Sequence, residues 1–248
     1  DIQEFENIIH SLTSFIQEEG VSSKGCILLS ELGEMFLLQK NYDKAYQCLQ
    51  RAVSMVRHIF GRNGNFLVIQ TLMLLGLTSM CLLIYDESKF YLKEALEVLS
   101  FSGQSAHMVK CTIHLMIARV YNITGEYYTA LSHLQECVNL SHKTSPHTAA
   151  LAHCTQARSW SRLGEREKVS KCAVNARVCL QNILDVEVKA VTTCEVAKTF
   201  VEAKLCEEGI SLIEEELLAL DSSSCESDLR ALYLQALGDI CVEQELVS

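Results

Sequence analysis

Histidine and cysteine are the side chains best able to hold a metal or carry a nucleophilic step, and His107, Cys111 and His114 place three of them on one helical face. His107 and His114 are seven residues apart, about 10 Å of helical rise, so a metal between them would need ligands from elsewhere. Cys111 and His114 have the types of a thiol nucleophile and its base, but no third group orients the pair. His133 and His142 lie too far apart on one helix for a compact site, and His147 and His153 straddle a helix start. The chain has no G-x-S-x-G, no H-E-x-x-H, no glycine-rich phosphate loop and no calcium loop. The reading is therefore of packed or surface histidines, with no catalytic residue, no metal and no cofactor.

The cysteines point the same way. There are twelve of them, yet no C-x-x-C pair occurs, and most fall on or beside apolar stripes where a free thiol behaves as a small hydrophobe. Unbridged thiols are expected in a cytoplasmic or nuclear compartment. No apolar run reaches the 18 or so residues that span a bilayer, the longest being 71–85, and no signal segment opens the chain. The first residue is Asp rather than Met, so a piece of something longer is expected. The formal charge of −10 is unevenly spread: residues 1–201 hold 19 acidic and 19 basic side chains, and residues 202–248 hold 12 and 2. That balance makes a nucleic acid an unfavourable partner, because a phosphate backbone needs a basic surface.

A content of 49% hydrophobic and 21% charged residues, with a single proline, Pro146, points to a packed and almost wholly helical chain. Leu29, Leu32, Gly33 and Phe36 recur at the spacing of one helical face. After a polar turn at 40–43, Tyr42, Ala45, Leu49 and Ala52 form a second stripe. The same hairpin recurs along the chain. Leu75-Gly76 is answered by Ser88, Leu92 and Ala95, and Ile117-Ala118 with Tyr121 by Ala130, Leu134 and Cys137. Ala157 with Trp160 is answered by Val169, Ala173 and Ala176; Ala197 with Phe200 by the more degenerate Gly209, Ile213 and Glu216. A sixth first helix carries Leu237-Gly238. The small residues Gly33, Gly76, Ala118, Ala157, Ala197 and Gly238 are 43, 42, 39, 40 and 41 apart, and the first five are expected to be buried against the second helix of their own hairpin, the sixth helix having no partner. The repeats run approximately over 25–60, 66–102, 105–143, 147–183 and 186–221, with a partial repeat at 226–243. Residues 1–19 are expected to be the second helix of a preceding repeat, and the whole of 1–248 one domain.

These residues and their recurrence resemble the tetratricopeptide repeat superfamily, whose minimal unit is 34 residues. The longer period here resembles its long-repeat members, such as the kinesin light chains. The resemblance implies an all-α fold, a right-handed superhelical solenoid of antiparallel hairpins, with first helices lining a concave groove. It also implies that residues one and five positions after each marker point into that groove. Those are Glu34 and Leu38, Leu77 and Cys81, Arg119 and Ile123, Arg158 and Arg162, Lys198 and Glu202, Asp239 and Glu243. Arg119, Arg158, Arg162 and Lys198, flanked by Asn122, would give a basic patch; Leu77, with Met80 and Met73 near it, would give an apolar one. Such a surface suits another protein's extended segment that is acidic and partly apolar, making the chain an interaction scaffold or adaptor. The alternative is a structural helical arm of a larger enzyme or complex, contacting partners by its convex face and ends. The sequence leaves the partner and the oligomeric state open.

Overall fold

A computed structural model describes residues 22–61, 66–101, 106–141, 145–220 and 227–247. The expected helix over 1–19, Gly64, Ser102-Gly103, His142 and Cys225 lie outside the described residues, as do the side chains of Glu243, Leu246 and Val247. The described residues form eleven helices and no strand. They are α1 (Ser23–Leu38), α2 (Tyr42–Phe60), α3 (Phe66–Cys81), α4 (Tyr85–Phe101), α5 (His107–Ile123), α6 (Tyr127–Ser141), α7 (Pro146–Arg162), α8 (Arg166–Gln181), α9 (Val186–Glu202), α10 (Cys206–Ala219) and α11 (Ser227–Val247). The chain divides into two compact units, Asp1–Ala106 and His107–Ser248. In the first, α1 packs on α2, α3 on α4, and α3 on both α1 and α2. In the second, α5–α6, α7–α8 and α9–α10 are hairpins, and the first helices α5, α7, α9 and α11 pack each on the next.

The hairpins close where the small markers stand. A β-carbon on Gly33 would lie 2.5 Å from Leu49 Cγ, and one on Gly76 2.7 Å from Leu92 Cγ, so a larger residue there would have to displace the leucine. Ala118, Ala157 and Ala197 are wholly buried at the equivalent positions. Twelve, sixteen and nineteen residues after each marker, the second helix contributes its own buried set: Ala45, Leu49 and Ala52 in the first hairpin, Ala130, Leu134 and Cys137 in the third. In the fourth the large position holds Ala173, and Trp160 packs against the cluster of Ala157, Val169 and Cys172. The fifth hairpin keeps this register better than its sequence suggests. Gly209 brings α10 against the α9 backbone, where a β-carbon would stand 2.9 Å from the Ala197 carbonyl oxygen, and Ile213 is fully buried. Only Glu216 departs from the pattern, and it pairs with Lys189 Nζ at 2.7 Å. Gly238 differs from the other markers: it is exposed, with no atom within 4 Å of where its β-carbon would be.

Five hairpin turns share one geometry. Seven residues after each of the first five markers stands a left-handed residue: Lys40, Leu83, Gly125, Gly164 and Lys204, with φ of 60°, 64°, 81°, 78° and 64°. Its N–H donates to the carbonyl three residues back, and the next N–H donates five back: Asn41 to Phe36, Ile84 to Ser79, Glu126 to Tyr121, Glu165 to Trp160 and Leu205 to Phe200, at 2.8 to 3.0 Å. This double bond is the Schellman closure, which satisfies the last carbonyls of a helix and reverses the chain. In the first hairpin the following helix starts from a side-chain cap, where Asn41 Oδ1 accepts from Lys44 N–H, and α9 is capped in the same way by Asp185 Oδ1, which accepts from Val188 N–H.

Candidate functional site

The first helices of the second unit stand side by side, so positions in register face their neighbours across the row. Arg119 on α5 pairs with Glu195 on α9. On α7, Arg158 Nη1 lies 2.6 Å from Glu202 Oε2, and on α9, Lys198 Nζ lies 2.6 Å from Asp239 Oδ2 on α11. Three of the four expected cations thus form a ladder of cation–carboxylate pairs that ties α5, α7, α9 and α11 together. The side chains are partly exposed, from 26% for Arg158 to 47% for Asp239. Pairs open to water to this extent contribute roughly 0 to 1 kcal/mol each, so the ladder orients more than it stabilises. Arg162, at the end of α7, is exposed and makes no ion pair with any described residue.

Asn122 belongs elsewhere. Expected at the edge of the groove, it is instead buried between α5 and α7, where its Oδ1 accepts a 2.8 Å hydrogen bond from Ser159 Oγ. Its position, one turn beyond the buried Ala118, turns it inward with Tyr121. Leu77 and Met80 lie on α3 in the first unit and are half-buried. In that unit the strongly exposed apolar groups include Leu38 and Leu83, at 78% and 69%.

Glu195 is the ion-pair partner that its sequence position left unnoticed. It stands three residues before Lys198 and seven before Glu202, on the same helical face, and that spacing was its available signal. His114 also has a partner unforeseen in the sequence. Its Nδ1 lies 2.9 Å from Nδ1 of His133 on α6, and Tyr121 stacks on the His133 ring with centroids 5.8 Å apart. Burial, then the neighbouring charges of His133 and Lys110, push the His114 imidazole down to about 4. His107, Cys111 and His114 do not converge, and no group of three metal-binding side chains is found among the described residues. The eleven described cysteines are unbridged, and no described helix is long and apolar enough to cross a membrane.

No protein-family model matches the chain, and no curated protein is a significant match. Solved structures do match. A Podosopora anserina protein described as kinesin light chain-like, with nearly identical TPR-like repeats, superposes with a TM-score of 0.59 at 16% identity, over 84% of this chain and 93% of its own. BtubC from P. vanneervenii superposes with a TM-score of 0.65 at 13% identity, over 88% and 93%. At these identities the likeness is one of fold: the chain is an all-α solenoid of TPR-like hairpins.

Proposed function

We propose that this TPR-like chain is a protein-interaction scaffold whose first-helix face in the second unit receives an extended, acidic and partly apolar segment of another protein. The observation that carries the reading is the row of Arg119, Arg158 and Lys198 on successive first helices, with Arg162, unpaired among the described residues, beside it. The intramolecular carboxylates hold the cations in an ordered array, and because the pairs are weak a ligand carboxylate can take the place of Glu195 or Glu202 at little cost. Leu77 and Met80 offer a separate apolar surface in the first unit. The reading is non-catalytic, and it disfavours a nucleic acid because residues 202–248 carry 12 acids against 2 bases. A cytoplasmic or nuclear setting goes with the free thiols.

A structural arm of a larger assembly is the second reading, and one observation favours it. On α11 the exposed Gly238 stands with Leu234 and Val242, which are 52% and 58% exposed, so that helix presents an open apolar face. Crosslinking the chain in cells and mapping the crosslinked sites separates the two. Sites clustered on α5, α7 and α9 around Arg158 support peptide capture, whereas sites confined to α11 support the arm.

A further inference from the structure

The positive charge left free on the second unit is not confined to its first helices. Helices α6 and α8 leave a groove between them, floored by α7, with a volume of about 590 Å³. Pockets that take ligands are commonly about 300 to 1,000 Å³, so its size is adequate. Val138 and Leu131 form one wall, Val178 lies on the other, and Trp160 lies among the lining residues with Lys168 and Lys171. No described residue that lines it is an aspartate or glutamate, in a chain whose net charge is −10. Lys168 Nζ sits 4.1 Å from the centre of the Trp160 ring and 3.4 Å from Glu165. Lys171 is exposed and makes no ion pair with any described residue. The amides of Gln135 and Asn175 supply hydrogen-bonding groups along the walls.

From this geometry we infer a second docking surface: the α6–α7–α8 groove takes an acidic segment of a partner protein that also carries large apolar side chains. Charge complementarity selects the occupant. The walls offer aliphatic and indole surface for the apolar side chains, and Lys171, with Lys168 behind it, meets the carboxylates. Arg119, Arg158 and Lys198 already hold carboxylates, whereas Lys171 holds none among the described residues. Occupation of this groove does not depend on the first-helix site, and the two can fail separately.

Trp160 is the only tryptophan in the chain, so its emission reports on this groove directly. The probe is a tryptophan-free peptide of alternating glutamate and leucine, titrated into the full chain, with a lysine–leucine peptide as control. The glutamate peptide is expected to give a saturable change in emission, with affinity about tenfold weaker in Lys171→Glu and unchanged in Arg162→Glu. The lysine peptide is expected to give none. Absence of a saturable change up to about 1 mM peptide would overturn the inference, as would an equal response to both peptides. Weakening by Arg162→Glu with Lys171→Glu silent would also overturn it, and would place binding on the first-helix row. An emission change that follows protein concentration without peptide, matched by dimers in sedimentation, would make a second copy the occupant and overturn the assignment to a partner segment.

Discussion

At the level of single residues, the His114–His133 contact turns burial into a dependence on pH. The ordinary imidazole value is 6.5, and in the folded chain His114 is held down to about 4. Between those values the unfolded chain takes up a proton that the folded chain refuses. Stability is therefore full above pH 6.5 and falls as pH drops towards 4, by on the order of 3 kcal/mol. Urea midpoints measured across that range should slope in the wild type and flatten in His114→Leu; equal slopes would remove His114 as the cause. The thiols behave in a related way. Burial foremost pushes Cys137 and Cys154 up to about 12 and Cys172 and Cys194 up to about 11. The thiolate is the reactive form, so among the described cysteines maleimide labelling of the native chain at neutral pH should reach the exposed Cys241 first and Cys154 only on unfolding. Rapid labelling of Cys154 would contradict its burial. The packing role of the cysteines was legible from their place on apolar stripes. The His114–His133 contact was not, because it joins two helices and periodicity reads one helix at a time.

At the level of helices and turns, the small markers were legible because a glycine inside an apolar stripe is costly and therefore needs a reason. The reason is the approach of Leu49 and Leu92, so Gly33→Ala and Gly76→Ala should each destabilise by about 1 to 3 kcal/mol in chemical denaturation. Ala118→Leu should overpack its fully buried seam to a similar extent. The common turn was only half legible. Gly125 and Gly164 advertise a left-handed residue, but Lys40, Leu83 and Lys204 occupy the same backbone state without a glycine to mark it. A side chain there is strained by about 1 to 2 kcal/mol, part of which glycine returns as chain entropy when unfolded. Lys40→Gly, Leu83→Gly and Lys204→Gly should each therefore raise stability by about 0.5 to 1 kcal/mol, measured in separate denaturation curves. Loss of stability at all three would mean that the lysine and leucine side chains make contacts worth more than the strain. Asn122 shows the limit of reading a face from spacing: one residue separates it from Ile123, and that rotation carries it from solvent into the α5–α7 seam.

At the level of the whole molecule, periodicity fixed the hairpin count and the register because each hairpin must bury two faces against its neighbours, and the same residue types recur to do so. The use of the surface was less legible, because charges on a helix face have no periodic requirement. Arg119, Arg158 and Lys198 were readable as neighbours, with Glu202 and Asp239 at groove positions of the same register, whereas Glu195 became evident as a partner only once α5, α7 and α9 stood in a row. That pairing makes the electrostatic face of the second unit sensitive to ionic strength, and binding of an acidic segment should weaken as salt is added. The most direct test of the scaffold reading is calorimetric titration of the crosslinked partner's segment into the wild type, Arg158→Glu and Arg162→Glu, with thermal unfolding of each protein alongside. The account predicts a loss of at least about 2 kcal/mol of binding energy in both variants, since each removes a charge-assisted bond and adds repulsion, with stability held within about 1 kcal/mol. Unchanged affinity in both, with unfolding also unchanged, would contradict it and show that partners do not use the first-helix row.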